Sequence, residues 1–237
     1  MPLSAFRRSA TRLTVTCLLA LPGGSSLSAS TLTLSTDPTR ELNIYVKGVV
    51  GGVATEQFTT AGVFLITLDA TYQRVALCVD YFTGIDAGVN YRSNLAALNS
   101  ISNGLRIAWL IENALPSATT QLAGAALQLA IWDIVHDNAD GFDLGSIRQA
   151  TSTGNTWSPA LLNAAINYET ISAGKTSTNA WIYLNIDPAT GLPVQDLISP
   201  IYGTGPALPE GGSLTLVASG AAFLARYRRA ISARLAS

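Results

Sequence analysis

Apolar and polar residues alternate with a period of two between residues 31 and 81, the pattern of half-buried strands. TLTLS (31–35), LNIYVKGVV (42–50), AGVFLITLDA (61–70) and QRVALCVDY (73–81) are rich in β-branched and aromatic residues. Asp37-Pro38, Gly51-Gly52 and Asp69-Ala70-Thr71 punctuate them as turns. After Asn90 the period lengthens. YRSNLAALNSISNGLRIAWLIENA (91–114), TTQLAGAALQLAIWDIVH (119–136) and SPALLNAAINYETI (158–171) predict helices, the first divisible at Asn103-Gly104. Residues 117–120 offer caps for the second, and Ser158-Pro159 caps the third. The polar loop HDNADGFDLGS (136–146) is expected to lead into a short helical turn at 143–150. NAWIYLNID (179–187) and LPVQDLI (192–198) restore the strand pattern. Strands, helices, strands predicts an α+β fold: a β-sandwich-like set of antiparallel strands with an inserted or packed helical block.

Both ends read as processing segments, leaving one domain over residues 30–199. Residues 1–29 have the layout of a signal peptide: Arg7, Arg8 and Arg12, an apolar run LTVTCLLAL (13–21), then Ser28-Ala29. Residues 200–210 form a linker. Residues 211–237 hold a short apolar run ending in a basic tail with Arg226, Arg228 and Arg229. The run is shorter than a stable membrane span needs, but the adjoining arginines suit a transmembrane helix with a basic stop.

Setting the ends aside changes the charge picture. Charged residues make up 12% of the chain, and the formal charge is −1. Residues 30–210 carry seven basic residues against all fifteen acidic ones, a net −8. So acidic a body, without a basic stripe, excludes nucleic acid as a partner.

Two cysteines are present, and Cys17 lies in the signal segment. The exported body would keep Cys78 alone, which suggests intermolecular pairing, a free thiol or some other chemistry. Strand alternation puts Cys78 on one face with Ala76 and Asp80, opposite Val75, Leu77 and Val79. On the helix 119–136, Gln128 and Trp132 are four apart and share a face beside the stripe Leu127, Ile131, Val135. A glutamine between two leucines asks for a specific partner, because a buried unpaired amide is costly.

Leu77-Cys78 at a strand end, a helical block, then Leu127-Gln128-Leu129-Ala130-Ile131-Trp132 together resemble the bacterial thioester domains of surface adhesins. RIAWLIENALP (106–116) and PVQDLI (193–198) are similar to that family's preceding helix and closing strand, so the resemblance spans about residues 42–198. It implies an internal thioester between Cys78 and Gln128, formed with loss of ammonia, with Trp132 shielding the bond and Asp80 as a weaker candidate for orienting groups. The implied activity is a single covalent capture of an amine on a surface or matrix partner, not enzymatic turnover, with no cofactor or metal. The tail resembles a PEP-CTERM sorting signal, Pro209-Glu210 preceding the apolar run and the arginines, with Gly211 where that motif has a second proline. This implies a Gram-negative source, an exosortase-type processing protease as partner, and a location at the cell surface, outer membrane or extracellular matrix.

Two other functions fit the same residues: a structural exported or matrix protein of this fold without the bond, and a hydrolase using Cys78. The hydrolase lacks a placed base, since His136 is expected about 12 Å beyond Gln128 along the helix axis. Asp137, Asp140 and Asp143 lack the spacing of a calcium loop and read as a solvated acidic loop.

Overall fold

The computed structural model describes residues 30–152 and 154–201. The expected signal segment, the sorting-type tail and nearly all of the linker lie outside the described residues. Nine strands and three helices follow in order: β1 (Ser30–Ser35), β2 (Glu41–Val50), β3 (Val53–Gly62), β4 (Phe64–Leu68), β5 (Tyr72–Cys78), β6 (Asn90–Ala96), α1 (Gly104–Asn113), α2 (Gln121–Asp137), β7 (Ile147–Gln149), α3 (Pro159–Ser172), β8 (Ala180–Ile186) and β9 (Leu197–Pro200). No helix among the described residues is long and apolar enough to cross a membrane.

The α+β class holds, but the sheet does not form the expected sandwich. Six antiparallel strands close on themselves as a barrel in the order β1-β4-β5-β9-β8-β6, and β3-β2-β7 make a separate sheet. Tyr91 and Ser93 of β6 are buried, and the strand pairs with β1 on one side and β8 on the other. Residues 91–96 are therefore strand, not helix, because joining β1 to β8 closes the barrel and satisfies backbone groups on both sides. The division at Asn103-Gly104 is real, with Asn103 left-handed (φ 55°) at the start of α1. Residues 147–149 likewise pair with β2 instead of forming a helical turn. The closing strand begins at Leu197; before it only Pro193 bridges, to Ile186.

β3 is an additional strand. Gly51 and Gly52 both take positive φ, 58° and 82°, the geometry of a tight two-residue hairpin. The hairpin pairs β2 with β3 along their whole length, from Val50 opposite Val53 to Glu41 opposite Gly62.

Two apolar clusters meet on β5 and α2. Ala76 and Cys78 join one cluster with Leu32, Ile66, Leu129 and Trp132. Leu77 and Val79 join the other with Ile107, Leu127, Ile131 and Ile198. The alternation expected for Cys78 is thus observed, its two strand faces feeding separate clusters. α2 is buried without a break from Gly124 to Ile134, as a helix that is apolar on all sides must be. It is capped by Thr120, whose side chain accepts the Ala123 N–H.

Gly124 is where α2 meets the β1–β2 connection most closely. A Cβ there would lie 2.1 Å from the Arg40 carbonyl oxygen. Gly124→Ala is expected to destabilise the protein by about 1–3 kcal/mol, as overpacking does. A thermal melt checks this, and an unchanged Tm would contradict the close approach.

Candidate functional site

Antiparallel pairing makes each strand residue's N–H and C=O point to the same side. The β4–β5 ladder runs from Leu68 opposite Tyr72 to Phe64 opposite Ala76, and there β4 begins. On the other side, Val79 N–H donates to the Asp196 carbonyl at 3.0 Å, so Cys78's own polar backbone groups face away from β9. They point to where a β4 residue before Phe64 would sit, a position left open because the chain belongs to β3 up to Gly62. A buried N–H and C=O left there would be costly.

Gln128 fills that position. Its side-chain Oε1 accepts the Cys78 N–H at 2.9 Å, and its Nε2 donates to the Cys78 carbonyl at 2.6 Å. The carboxamide imitates a strand residue, satisfying both polar groups of Cys78 and two of its own. Gln128 is 0% exposed and Cys78 2%. The pair expected from 50 residues apart is therefore in contact, side-chain amide to peptide, in a buried core.

Trp132, one helical turn after Gln128, is 1% exposed. Its ring meets Tyr81 edge-on at 5.2 Å between centroids, Tyr81 meets Phe82 at 5.2 Å, and Phe82 meets His136 at 5.0 Å. These four rings form a wall from α2 to the chain just after β5. On its outer side Tyr81 and Phe82 line a cleft of about 390 Å³ with Phe58, Phe64 and Ile85. The Trp132 Nε1–H is buried and has no hydrogen-bond partner among the described residues.

Asp80 builds the turn after the strand. Oδ1 accepts the Phe82 N–H at 2.9 Å and Oδ2 accepts the Thr83 hydroxyl at 2.7 Å. That commitment leaves it a positional role, and its carbonyl is held by Gln195 Nε2 at 2.6 Å.

Two neighbours escaped the sequence reading. Glu41 opens β2 and is buried. Its carboxylate accepts the Asp37 N–H, and burial raises its pKa. His136 reaches the site's edge after all: its Nε2 accepts the Tyr81 N–H at 3.2 Å and stands 3.7 Å from Asp80 Oδ1. Burial lowers the His136 pKa, opposed by the charges of Asp80 and Asp137, and its bond from the Tyr81 N–H ties the ring to the chain after β5. Strand-initial Glu41 carried no local signal, and His136, a little over two turns past Gln128 on the unbroken α2, meets the chain after β5 and not Cys78 itself.

Burial, then the charges of Glu41 and Asp80, push the Cys78 thiol far above its ordinary value. The folded thiol is protonated where a free thiol, at about 8.5, ionises. Unfolding restores the ordinary value, so rising pH above about 9 favours the unfolded chain. In chains whose Cys78 carries no bond to Gln128, native-state labelling by iodoacetamide is expected to stay negligible between about pH 7 and 10 and to become rapid in denaturant. A native rate climbing about tenfold per pH unit would contradict this burial.

No family model matches the sequence, and no curated protein matches it. Among solved structures the chain is similar to the N-terminal domain of the Streptococcus pyogenes pilus tip adhesin Cpa, at 13% identity and a TM-score of 0.41, over 71% of this chain and 97% of that one. It is also similar to the N-terminal thioester domain of the fibronectin-binding protein SfbI from Streptococcus pyogenes, at 12% identity and a TM-score of 0.40, over 76% of this chain and 96% of that one.

Proposed function

We propose that the chain is an exported surface or matrix protein whose Cys78 and Gln128 form an internal thioester that captures an amine-bearing partner covalently. One observation carries the reading: the Gln128 carboxamide is held against Cys78 by two hydrogen bonds, with both residues out of water. In bond formation Cys78 Sγ attacks Gln128 Cδ, the S–C bond forms and the C–N bond breaks. Ammonia leaves, carrying the thiol proton. In capture a partner amine attacks the same carbon, a new amide forms, and the sulfur leaves and regains a proton. Each molecule reacts once, so this is covalent binding and not turnover.

The surroundings suit latency. An acyl thioester survives while water is kept away, and the buried Trp132 packs against Tyr81, which lines the cleft. The cleft beside Tyr81 and Phe82 is the route by which a partner's lysine would approach. The surface or matrix location, the exosortase-type processing and the membrane segment belong to the same proposal and rest on the two ends of the sequence.

A second reading is favoured by the same hydrogen bonds. Gln128 already completes the strand end, and releasing Nε2 as ammonia removes the donor to the Cys78 carbonyl. A protein that keeps this amide would be a structural exported or matrix component of the same fold. Incubation with a fluorescent primary amine separates the two. Covalent capture predicts one label per molecule, resistant to denaturation and absent from Cys78→Ala. A chain that stays unlabelled supports the structural reading.

A further inference from the structure

A closed barrel leaves no strand edge open, but the second sheet does. Its order is β3-β2-β7, so β3 pairs with β2 on one side and with no strand on the other among the described residues. The two-residue turn at Gly51-Gly52 makes Val50 and Val53 exchange backbone bonds, and the alternation continues along the ladder from there. Two bonds on β2 agree with that phase. Val49 N–H donates to the Ser146 carbonyl, and the Tyr45 carbonyl accepts from Trp157 Nε1, so both residues direct their backbone groups away from β3. The N–H and C=O groups of Ala54, Glu56, Phe58 and Thr60 therefore point out from the free edge, and no hydrogen bond reaches them among the described residues.

Long edges are ordinarily defended by a charge, a proline or a bulge. β3 runs ten residues with no bulge, proline or lysine. Its one charged side chain is drawn away, toward the segment after β7 on the far side of β2: Glu56 accepts the Thr151 and Ser152 N–H groups at 2.7 and 3.0 Å and Asn155 Nδ2 at 3.2 Å. The open edge also borders the cleft beside Tyr81. Gln57 to Thr60 line that cleft from β3, and Phe82 to Ala87 line it from the chain after β5. A smaller hollow of about 170 Å³ shares Gln57, Tyr81 and Phe82 with it and reaches Val50 and Val53 at the hairpin tip. The recess thus follows β3 for most of its length, past the Tyr81 ring that packs on Trp132. Asp86 is the only charged residue that lines either part.

We propose that the captured partner presents an extended, lysine-bearing segment that adds to the free edge of β3 as a further strand of that sheet. Donors and acceptors at alternate residues of an edge are matched by another extended backbone, and the lone Asp86 carboxylate favours a cationic side chain over an acidic one. Residues opposite each other in a strand pair share a face. The partner residue opposite Gln57 is therefore directed, as Gln57 is, toward Tyr81, and this residue is the lysine. A second copy of the chain fits less well, because its own β3 already carries β2 and would bring a whole sheet against residues 82–87. Strand addition rests on the thioester reading only for the fate of the lysine, whose amine forms an amide with Gln128 Cδ while Cys78 Sγ leaves and takes up a proton.

The probe is a short peptide of alternating threonine and valine with one central lysine, beside a twin methylated on its backbone nitrogens. Fluorescence anisotropy measures docking on Cys78→Ala, which has no sulfur to form the bond, and intact mass follows capture by the parent. The unmethylated peptide should bind at least about tenfold more tightly than its twin, since each backbone bond lost weakens docking. Docking should slow hydrogen exchange at the Ala54, Glu56, Phe58 and Thr60 amides and leave Thr55, Gln57 and Thr59, already bonded to β2, unchanged. The parent should take up this peptide about tenfold faster than methylamine at equal concentration. Equal binding of the twins, or no added protection at those four amides, would overturn the proposal. Protection there that rises with protein concentration in the absence of peptide would assign the edge to a second copy and overturn it too. Docking on Cys78→Ala beside a parent that takes up no amine would support the edge and refute the thioester.

Discussion

Gln128→Leu is expected to abolish amine capture and to produce one of the two largest stability losses among single substitutions in this protein. Leucine is apolar and of similar size, so the cavity term is small. What is lost is the partner of two buried backbone groups, the Cys78 N–H and C=O, which no strand residue supplies. Each such group costs about 1–3 kcal/mol when left without a partner, so the loss should be about 2–6 kcal/mol. Chemical denaturation of Gln128→Leu against Cys78→Ala, which keeps the free carboxamide, measures it. Cys78→Ala is the control: it removes the sulfur but keeps both backbone groups and their bonds to Gln128. It should abolish capture while lowering stability less. Equal stabilities for Gln128→Leu and Cys78→Ala would show that the clasp is not a determinant of the fold.

Trp132→Ala carries the other large effect. The side chain is among the largest fully buried ones, and truncating a buried tryptophan costs about 3–5 kcal/mol. The chemical consequence differs from that of Gln128→Leu. Removing the ring opens the wall between the Cys78–Gln128 pair and the cleft beside Tyr81. Water then competes for the thioester, converting Gln128 to glutamate and freeing the thiol. Molecules of Trp132→Ala should therefore weigh about 1 Da more than encoded and fail to take up amine. Trp132→Phe, which keeps a ring against Tyr81, should retain most of both properties. Amine uptake by Trp132→Ala at the parent's level would rule out a shielding role and leave Trp132 a packing residue.

The two residues of the proposed bond were legible in the sequence because each broke a local rule. Cys78 is the one cysteine in residues 30–201, and Gln128 is an amide inside an apolar helix. Strand alternation then assigned Cys78 its face correctly. What local rules could not supply was the reason for Gln128's burial: it stands in for a strand residue that β4 lacks, a fact of pairing between segments 50 residues apart. The missed strand β3 has the same origin. VATEQFTTAG is exposed over most of its length, so it shows no buried face and has only its pairing with β2 to define it. In and just after β6 the apolar residues Tyr91, Leu95 and Leu98 fall at helical intervals, and barrel closure overrode that periodicity.

The intact mass of the purified protein decides whether Cys78 and Gln128 are joined. The predicted result is a mass about 17 Da below that encoded by the processed chain, the loss of one ammonia. Methylamine should then add about 31 Da and expose one thiol. The encoded mass, unchanged by methylamine, with a single thiol appearing on denaturation, would contradict covalent capture and leave Gln128 as the amide that completes β5.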